Sequence, residues 1–212
     1  MILYDYWRSS AAYRVRIALE LKGIAVEHRS VHLLRGGGAQ FTAEYLAKNP
    51  QALVPALQLD DGVVLTQSLA IIDYLESIRP APPLLPKDPV LAAKVRSVAL
   101  AIACDTHPLV NLRIGAYLAK ELNASPQEVE AWRRHWILRG GLEAVEKLVA
   151  PSPFCFGAEP TLADVCLIPQ IFTARRFSTP LERLPKVLGV EAACLELDAF
   201  QAARPERQID AE

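Results

Sequence analysis

Tyr6-Trp7-Arg8-Ser9-Ser10-Ala11-Ala12-Tyr13-Arg14-Val15-Arg16-Ile17-Ala18-Leu19 follows a short apolar stretch, Ile2-Leu3-Tyr4, that reads as a strand. Val15, Ala18, Leu19 and Leu21 then recur at the spacing of an amphipathic helix. Ser9 and Ser10 therefore stand where a strand hands over to a helix. The first N–H groups of a helix have no internal partner and carry the positive end of its dipole. An anion is stabilised there, and a nearby hydroxyl can donate to it. A thiolate is one such anion. A helix N-cap alone would also explain a serine pair at this place.

A second segment narrows the choice. Asn49-Pro50-Gln51-Ala52-Leu53-Val54-Pro55-Ala56-Leu57-Gln58-Leu59 leads through Asp60-Asp61-Gly62 into Val63-Val64-Leu65 and then Thr66-Gln67-Ser68. An Asp-Gly pair between apolar runs signals a hairpin. Ser68 is placed to cap a helix with Leu69, Ile72, Leu75 and Ile78 on one face. The order is β-α-β, a connecting helix, β-β, then α.

With those motifs in hand, the chain resembles the zeta class of the glutathione transferases, the class that includes maleylacetoacetate isomerase. The Arg-Ser-Ser block with Arg14-Val15-Arg16-Ile17-Ala18-Leu19 carries the class. Val54-Pro55-Ala56-Leu57 and Gln67-Ser68-Leu69-Ala70-Ile71-Ile72-Asp73-Tyr74-Leu75 mark glutathione transferases generally. The resemblance spans nearly the whole chain. It implies an α/β thioredoxin-like domain followed by an all-α domain.

Composition agrees with an enzyme of that kind. The 212 residues can bury a sizeable core in one or two domains. Half are hydrophobic and 22% charged, which excludes a disordered chain. A net charge of −1 speaks against nucleic acid as a partner. There is no signal-peptide pattern and no run long enough to span a membrane. Cys104, Cys155, Cys166 and Cys194 are widely spaced, which suits reduced thiols in a cytoplasmic protein. No metal-ligand pattern is present.

Five prolines between Arg79 and Pro89 break the composition. They place an extended linker at 81–89, and the resemblance implies a glutathione-binding domain at residues 1–80 before it and a helical domain at 90–212 after it. Asp88-Pro89 opens a long helix expected to run toward Leu118 with a kink at Pro108. Ser125-Pro126-Gln127-Glu128 is a capping box opening a helix to about Val149, and Thr161-Leu162-Ala163-Asp164 opens another. Gly36-Gly37-Gly38 lacks the Lys-Ser/Thr of a phosphate loop.

The resemblance also assigns residues. Ser9 matches the catalytic serine that donates to the sulfur of glutathione, with Ser10 as the second candidate. Tyr6 is a rival, and Tyr4 is expected in strand packing. Ala11 stands where the class usually has cysteine, so no protein thiol is expected in the site. Val54-Pro55 matches the cis-proline element that pairs with the peptide backbone of glutathione. Gln67 and Ser68 match contacts to its γ-glutamyl carboxylate, and Gln40 a further contact. His107, Asn111, Leu112 and Arg113 resemble the segment of the helical domain that faces cofactor and substrate. Arg8, Arg113 and Arg176 are the cations expected to hold a dicarboxylate, with Arg175 turned away because adjacent helical residues point in different directions. Arg14 and Arg16 read as solvated or ion-paired, with a domain interface as the alternative for Arg14.

The activity so implied is glutathione-dependent cis–trans isomerisation of a maleyl dicarboxylate, maleylacetoacetate or maleylpyruvate, in aromatic catabolism, by a homodimer. Two alternatives remain at this stage: a transferase that conjugates or dehalogenates small electrophiles, and a non-catalytic binding module.

Overall fold

A computed structural model describes residues 1–212 and divides them into two compact units, Met1–Pro83 with Leu197–Glu212, and Leu84–Glu196. The first unit is built on a four-stranded sheet in the order β2-β1-β3-β4, made of β1 (Ile2–Asp5), β2 (Glu27–Ser30), β3 (Ala56–Gln58) and β4 (Val64–Thr66). β2 runs parallel to β1 and the other pairs are antiparallel. This is the thioredoxin-like arrangement expected from the order of elements. The Asp-Gly hairpin closes with Gly62 N–H donating to Leu59 C=O at 3.0 Å, and φ of +90° at Gly62 explains the glycine.

Helix α1 (Ser10–Lys22) connects β1 to β2, and α2 (Ala43–Leu46) lies in the connection to β3. Helix α1 ends at Gly23, whose left-handed backbone returns an N–H to Glu20 C=O. It departs from the expected amphipathic pattern. Every residue from Ala12 to Leu19 is buried, Arg14 and Arg16 included, because α1 packs against both α3 (Ser68–Ile78) and α11 (Asp198–Ala202). Lys22 is buried too. Its ammonium bonds Pro82 C=O at 2.6 Å and pairs with Glu76, which pins the start of the proline-rich segment.

In the second unit, α4 (Pro89–Leu100) starts as expected, with Asp88 Oδ1 accepting from Leu91 N–H at 2.7 Å and proline in the first position. The single kinked helix to Leu118 is not formed. A π-helical stretch, Ala101–Thr106, leads into the one-turn α5 (His107–Leu109), and the chain breaks at Val110–Asn111 before α6 (Leu112–Glu121). Thr106 Oγ–H donates back to Ala101 C=O at 3.0 Å, a local bond that competes with the regular ladder.

The capping box forms as read: Ser125 and Glu128 exchange bonds at the start of α7 (Pro126–Ile137). The expected run to Val149 is interrupted, however. Arg139, Gly140 and Gly141 leave helical geometry, Gly140 with φ of +73°, before α8 (Glu143–Leu148). A Cβ on Gly141 would approach Trp136 C=O and the Thr106 methyl to 2.9 Å, so only glycine passes between them.

Helix α9 (Leu162–Arg176) is the core of this unit. Its own box is closed by the fully buried Asp164, which accepts from Thr161 N–H and Oγ–H and from Cys155 N–H. Helix α10 (Pro185–Leu195) packs on α8 and α9. The boundary read at 81–89 thus narrows to Pro83–Leu84, and residues 197–212, expected in the helical domain, pack with the first unit instead.

Candidate active site

The strand-to-helix turn holds the first group of candidates. Ser9 N–H donates to Tyr6 C=O at 2.8 Å, which tightens the turn. Ser9 is the N-cap of α1, and its Oγ accepts from Ala12 N–H at 3.2 Å. Of the serine pair it is Ser9 that caps, and Ser10 is the buried first residue of the helix. The two roles of Ser9 are compatible: the cap uses an oxygen lone pair, and the O–H remains to donate. Ala11 follows in the first turn.

Arg8 lies across two aromatic rings, its guanidinium carbon 5.0 Å from the Trp7 ring and 5.8 Å from the Tyr6 ring. One Nη donates to Tyr6 Oη at 3.0 Å, and no carboxylate stands within ion-pair distance. The Tyr6 hydroxyl, the rival to Ser9, thus accepts from Arg8 and, like that of Ser9, keeps its O–H to donate. Tyr4 packs in the sheet core and donates to Gln58 Oε1 at 2.9 Å.

Val54–Pro55 is a cis peptide directly before β3. Val54 and Pro55 are both buried. The loop before them is organised by Asn49, whose side chain donates to Leu53 C=O at 2.7 Å and accepts from Gln51 N–H. At the start of α3 the cap is Gln67, where Ser68 had been expected. Gln67 has φ of +70° and no capping side-chain bond, and its amide donates instead to Gln51 Oε1 at 2.7 Å. A left-handed backbone at a residue other than glycine is costly and persists where surroundings impose it.

Ser68, the first helical residue, is buried, and its Oγ accepts from Arg14 at 3.3 Å. Arg14 therefore ties α1 to the start of α3 and sets a buried cation at the Gln67–Ser68 corner. Reading the sequence missed this, since the arginine and the serine lie 54 residues apart. Gln40 is buried against Gly38, its amide donating to Leu33 C=O at 3.2 Å while Oε1 has no partner.

In the second unit, His107, Asn111, Leu112 and Arg113 follow one another from α5 into α6. Asn111 caps α6, its Oδ1 accepting from Arg113 N–H at 3.1 Å, and the Leu112 and Arg113 side chains are exposed. At the other end of α9 the two arginines diverge. Arg175 forks onto Glu191, which raises its pKa. Arg176 is exposed and lies over Phe177, 4.4 Å from the ring centre. Arg133 of α7 lies over the same ring at 4.8 Å, and its guanidinium fills the space beside Gly115 that a Cβ would need. Burial lowers the pKa of Arg133. Nothing in the sequence marked it.

None of the four cysteines is in a disulfide. Cys104 is exposed, and Cys155, Cys166 and Cys194 are buried, the thiols of Cys155 and Cys194 pushed upward first by burial and then by Asp164. None lies at the turn. No group of side chains suits a metal ion, and no helix is long and apolar enough to cross a membrane.

Residues 3–83 match the N-terminal domain and residues 126–191 the C-terminal domain of glutathione S-transferase. The chain is 46% identical to a probable maleylacetoacetate isomerase of Vibrio cholerae, covering all of this chain and 98% of that protein. It superposes with a TM-score of 0.95 on the holo structure of a bacterial zeta-class maleylpyruvate isomerase, at 44% identity and full coverage of both chains. The maleylacetoacetate isomerase of Anaeromyxobacter dehalogenans, solved with dicarboxyethyl glutathione and citrate in its active site, matches at a TM-score of 0.87 and 43% identity, covering 99% of this chain and 96% of that one. The chain belongs to the glutathione S-transferase family, with the zeta-class maleylacetoacetate and maleylpyruvate isomerases.

Proposed function

We propose that this chain is a glutathione-dependent cis–trans isomerase of a maleyl dicarboxylate. The observation that carries the reading is the turn itself: a serine whose oxygen caps a helix while its O–H is left over, beside Arg8, which bonds Tyr6 Oη and feels the Glu212 carboxylate only through space. The N-terminal unit also fits a peptide cofactor, because Gln40 Oε1 is a buried acceptor without a partner. When bound, glutathione supplies a thiolate that adds reversibly to the maleyl double bond and so permits its rotation.

The protein's own part is to bind, orient and stabilise charge. Ser9 donates its O–H to the sulfur, with Ser10 and Ala11 completing the helix start. Val54 and Pro55 present backbone to the peptide, and Gln67, Ser68 and Gln40 hold its polar groups. His107, Asn111, Leu112 and Arg113 contribute from the helical unit. Arg8, Arg113 and Arg176 fix the carboxylates and offset negative charge that develops on the substrate. Proton NMR of maleylpyruvate and maleylacetoacetate, with and without glutathione, tests the reading. Conversion without glutathione, or none with it, rejects it.

The arginines separate by role. Arg176→Ala is expected to raise the KM for the dicarboxylate about 30-fold, roughly 2 kcal/mol for a lost guanidinium–carboxylate pair, and to leave glutathione affinity unchanged. Arg175→Ala removes only the fork from an exposed guanidinium to the partly covered Glu191, a loss of about 1 kcal/mol of stability and none of substrate affinity. Steady-state kinetics showing equal losses in both variants would contradict the assignment.

The family layout also supports a homodimer. Light scattering is then expected to give twice the 23.3 kDa of one chain, and a concentration-independent mass near 23.3 kDa would reject it. Four cysteines with no disulfide among them support action in the reducing cytoplasm.

A further inference from the structure

We infer that Asp210 is a positioning residue for the thiolate-activating turn. The inference rests on the reading of Ser9 given above. The main chain at Trp7, immediately before Arg8 and Ser9, is held by groups outside the turn at both of the peptide groups that flank its Cα. Its C=O accepts from Arg16 at 2.9 Å, and its N–H donates to Asp210 Oδ2 at 3.2 Å. The same carboxylate oxygen accepts from Ser30 Oγ–H at 2.6 Å, at the end of β2. Asp210 thus links the turn to the sheet edge.

Arg16 belongs to the same device. It reaches Ala203 C=O at 3.1 Å and Asp5 Oδ2 at 3.1 Å while holding Trp7 C=O. Residues 203–210 therefore supply one anchor to each side of Trp7, the Ala203 end through Arg16 and the Asp210 end directly. Nothing else in the structure takes the Trp7 N–H.

The consequence is geometric. A hydroxyl stabilises a thiolate only while its O–H points at the sulfur, and bond strength falls steeply with misalignment. The main chain from which Arg8 and Ser9 project follows directly from Trp7, and the cap bond from Ala12 N–H and the Tyr6 hydroxyl then hold the two side chains relative to it. Fixing Trp7 fixes the frame on which both act. A carboxylate suits the task because a hydrogen bond to a charged acceptor is stronger than one to a neutral group. Its negative charge by itself would oppose thiolate formation, so the benefit of Asp210 lies in alignment. Alignment and charge can be separated experimentally, because an asparagine oxygen still accepts from Trp7 N–H and Ser30 Oγ–H.

The experiment is ultraviolet titration of the thiol of bound glutathione in the wild type, Asp210→Ala and Asp210→Asn, together with amide exchange of Trp7 N–H in the ligand-free proteins. Asp210→Ala is expected to raise the bound thiol pKa by about half to one unit, a three- to tenfold loss of thiolate at a pH below it. It is also expected to speed Trp7 exchange at least tenfold and to lower kcat with little change in KM for the dicarboxylate. Asp210→Asn is expected to restore most of the thiol pKa and of the Trp7 protection. Ser30→Ala, on an exposed strand position, should shift the same two readouts in the same direction by less, and it carries the test if Asp210→Ala does not fold.

A wild-type thiol pKa in Asp210→Ala, or equal shifts in the alanine and asparagine variants, overturns the inference and leaves the proposed function standing. A wild type that does not depress the thiol pKa at all overturns the proposed function, and the role of Asp210 with it.

Discussion

Ser9→Ala is expected to raise the pKa of the bound glutathione thiol by about one to two units and to slow isomerisation at pH 7 about ten- to a hundredfold. A free thiol near pKa 8.5 is only a few per cent ionised at neutral pH. One hydrogen bond to a charged acceptor contributes about 1.5–3 kcal/mol, and each 1.36 kcal/mol is a factor of ten in rate. The sign of the pH effect follows directly. With the thiol pKa raised, the deficit is largest below it and shrinks as pH climbs through it, so activity partly recovers in alkaline buffer.

The structure adds a complication that the sequence did not show. Ser9 is also the N-cap of α1, so the alanine variant loses about 1 kcal/mol of helix stability as well. Ser9→Gly separates the two effects, because glycine caps within a few tenths of a kcal/mol of serine yet has no hydroxyl. The glycine variant should match the alanine variant in thiol pKa and the wild type in thermal midpoint. A normal thiol pKa in both, with a shift in Ser10→Ala or Tyr6→Phe, would transfer the role to that hydroxyl.

Arg16→Ala is expected to cost about 3–5 kcal/mol of stability, the usual penalty for leaving one member of a buried ion pair alone. For a chain of this size that corresponds to a fall of roughly 6–20 °C in Tm. Arg16 is only 2% exposed and Asp5 3%. Burial lowers the pKa of Arg16 and its partner Asp5 offsets part of that, so the pair is stable only as a pair. Without the guanidinium, Asp5 keeps His28 Nδ1 at 3.6 Å, and the carbonyls of Trp7 and Ala203 lose a donor. Arg16→Lys should recover part of the loss, since a point charge can serve Asp5 but cannot fork to both carbonyls. Calorimetry giving a loss below about 1 kcal/mol for the alanine variant would show that this network contributes little.

Local chemistry was legible in the sequence and distant chemistry was not. The boxes at Ser125–Glu128 and Thr161–Asp164, the Asp88–Pro89 start and the Asp61–Gly62 turn are contained within four or fewer residues, and each formed. The break at Gly140–Gly141 was visible as a glycine pair, but only the close approach of Trp136 and Thr106 shows why the helix stops there. The π-helical stretch before His107 has no compositional mark.

Among the site residues, the serine pair and the Val54–Pro55 element were found by motif. The cap at Gln67 was misplaced by one residue because nothing in the sequence announces a positive φ at a glutamine. Arg16 is ion-paired, one of the two states its sequence context offered, but the burial of Arg14 and Arg16 was not legible, since their partners, Ser68, Asp5 and Ala203, come from three separate parts of the chain. The return of residues 197–212 to the first unit was invisible for the same reason.

That return has a bearing on how the chain is made. The segment Leu84–Glu196 is one uninterrupted piece and can complete its core without any residue from outside it. The first unit cannot, although it begins at Met1. Arg16 waits for Ala203 and Trp7 for Asp210, contacts separated by 187 and 203 residues. Closing so long a loop is slow, and until it closes a buried arginine and the turn beside it stay unsatisfied. The nascent N-terminal unit is therefore the part most exposed to chaperones and proteases, and the helical unit, second in the gene, is the first that can finish folding.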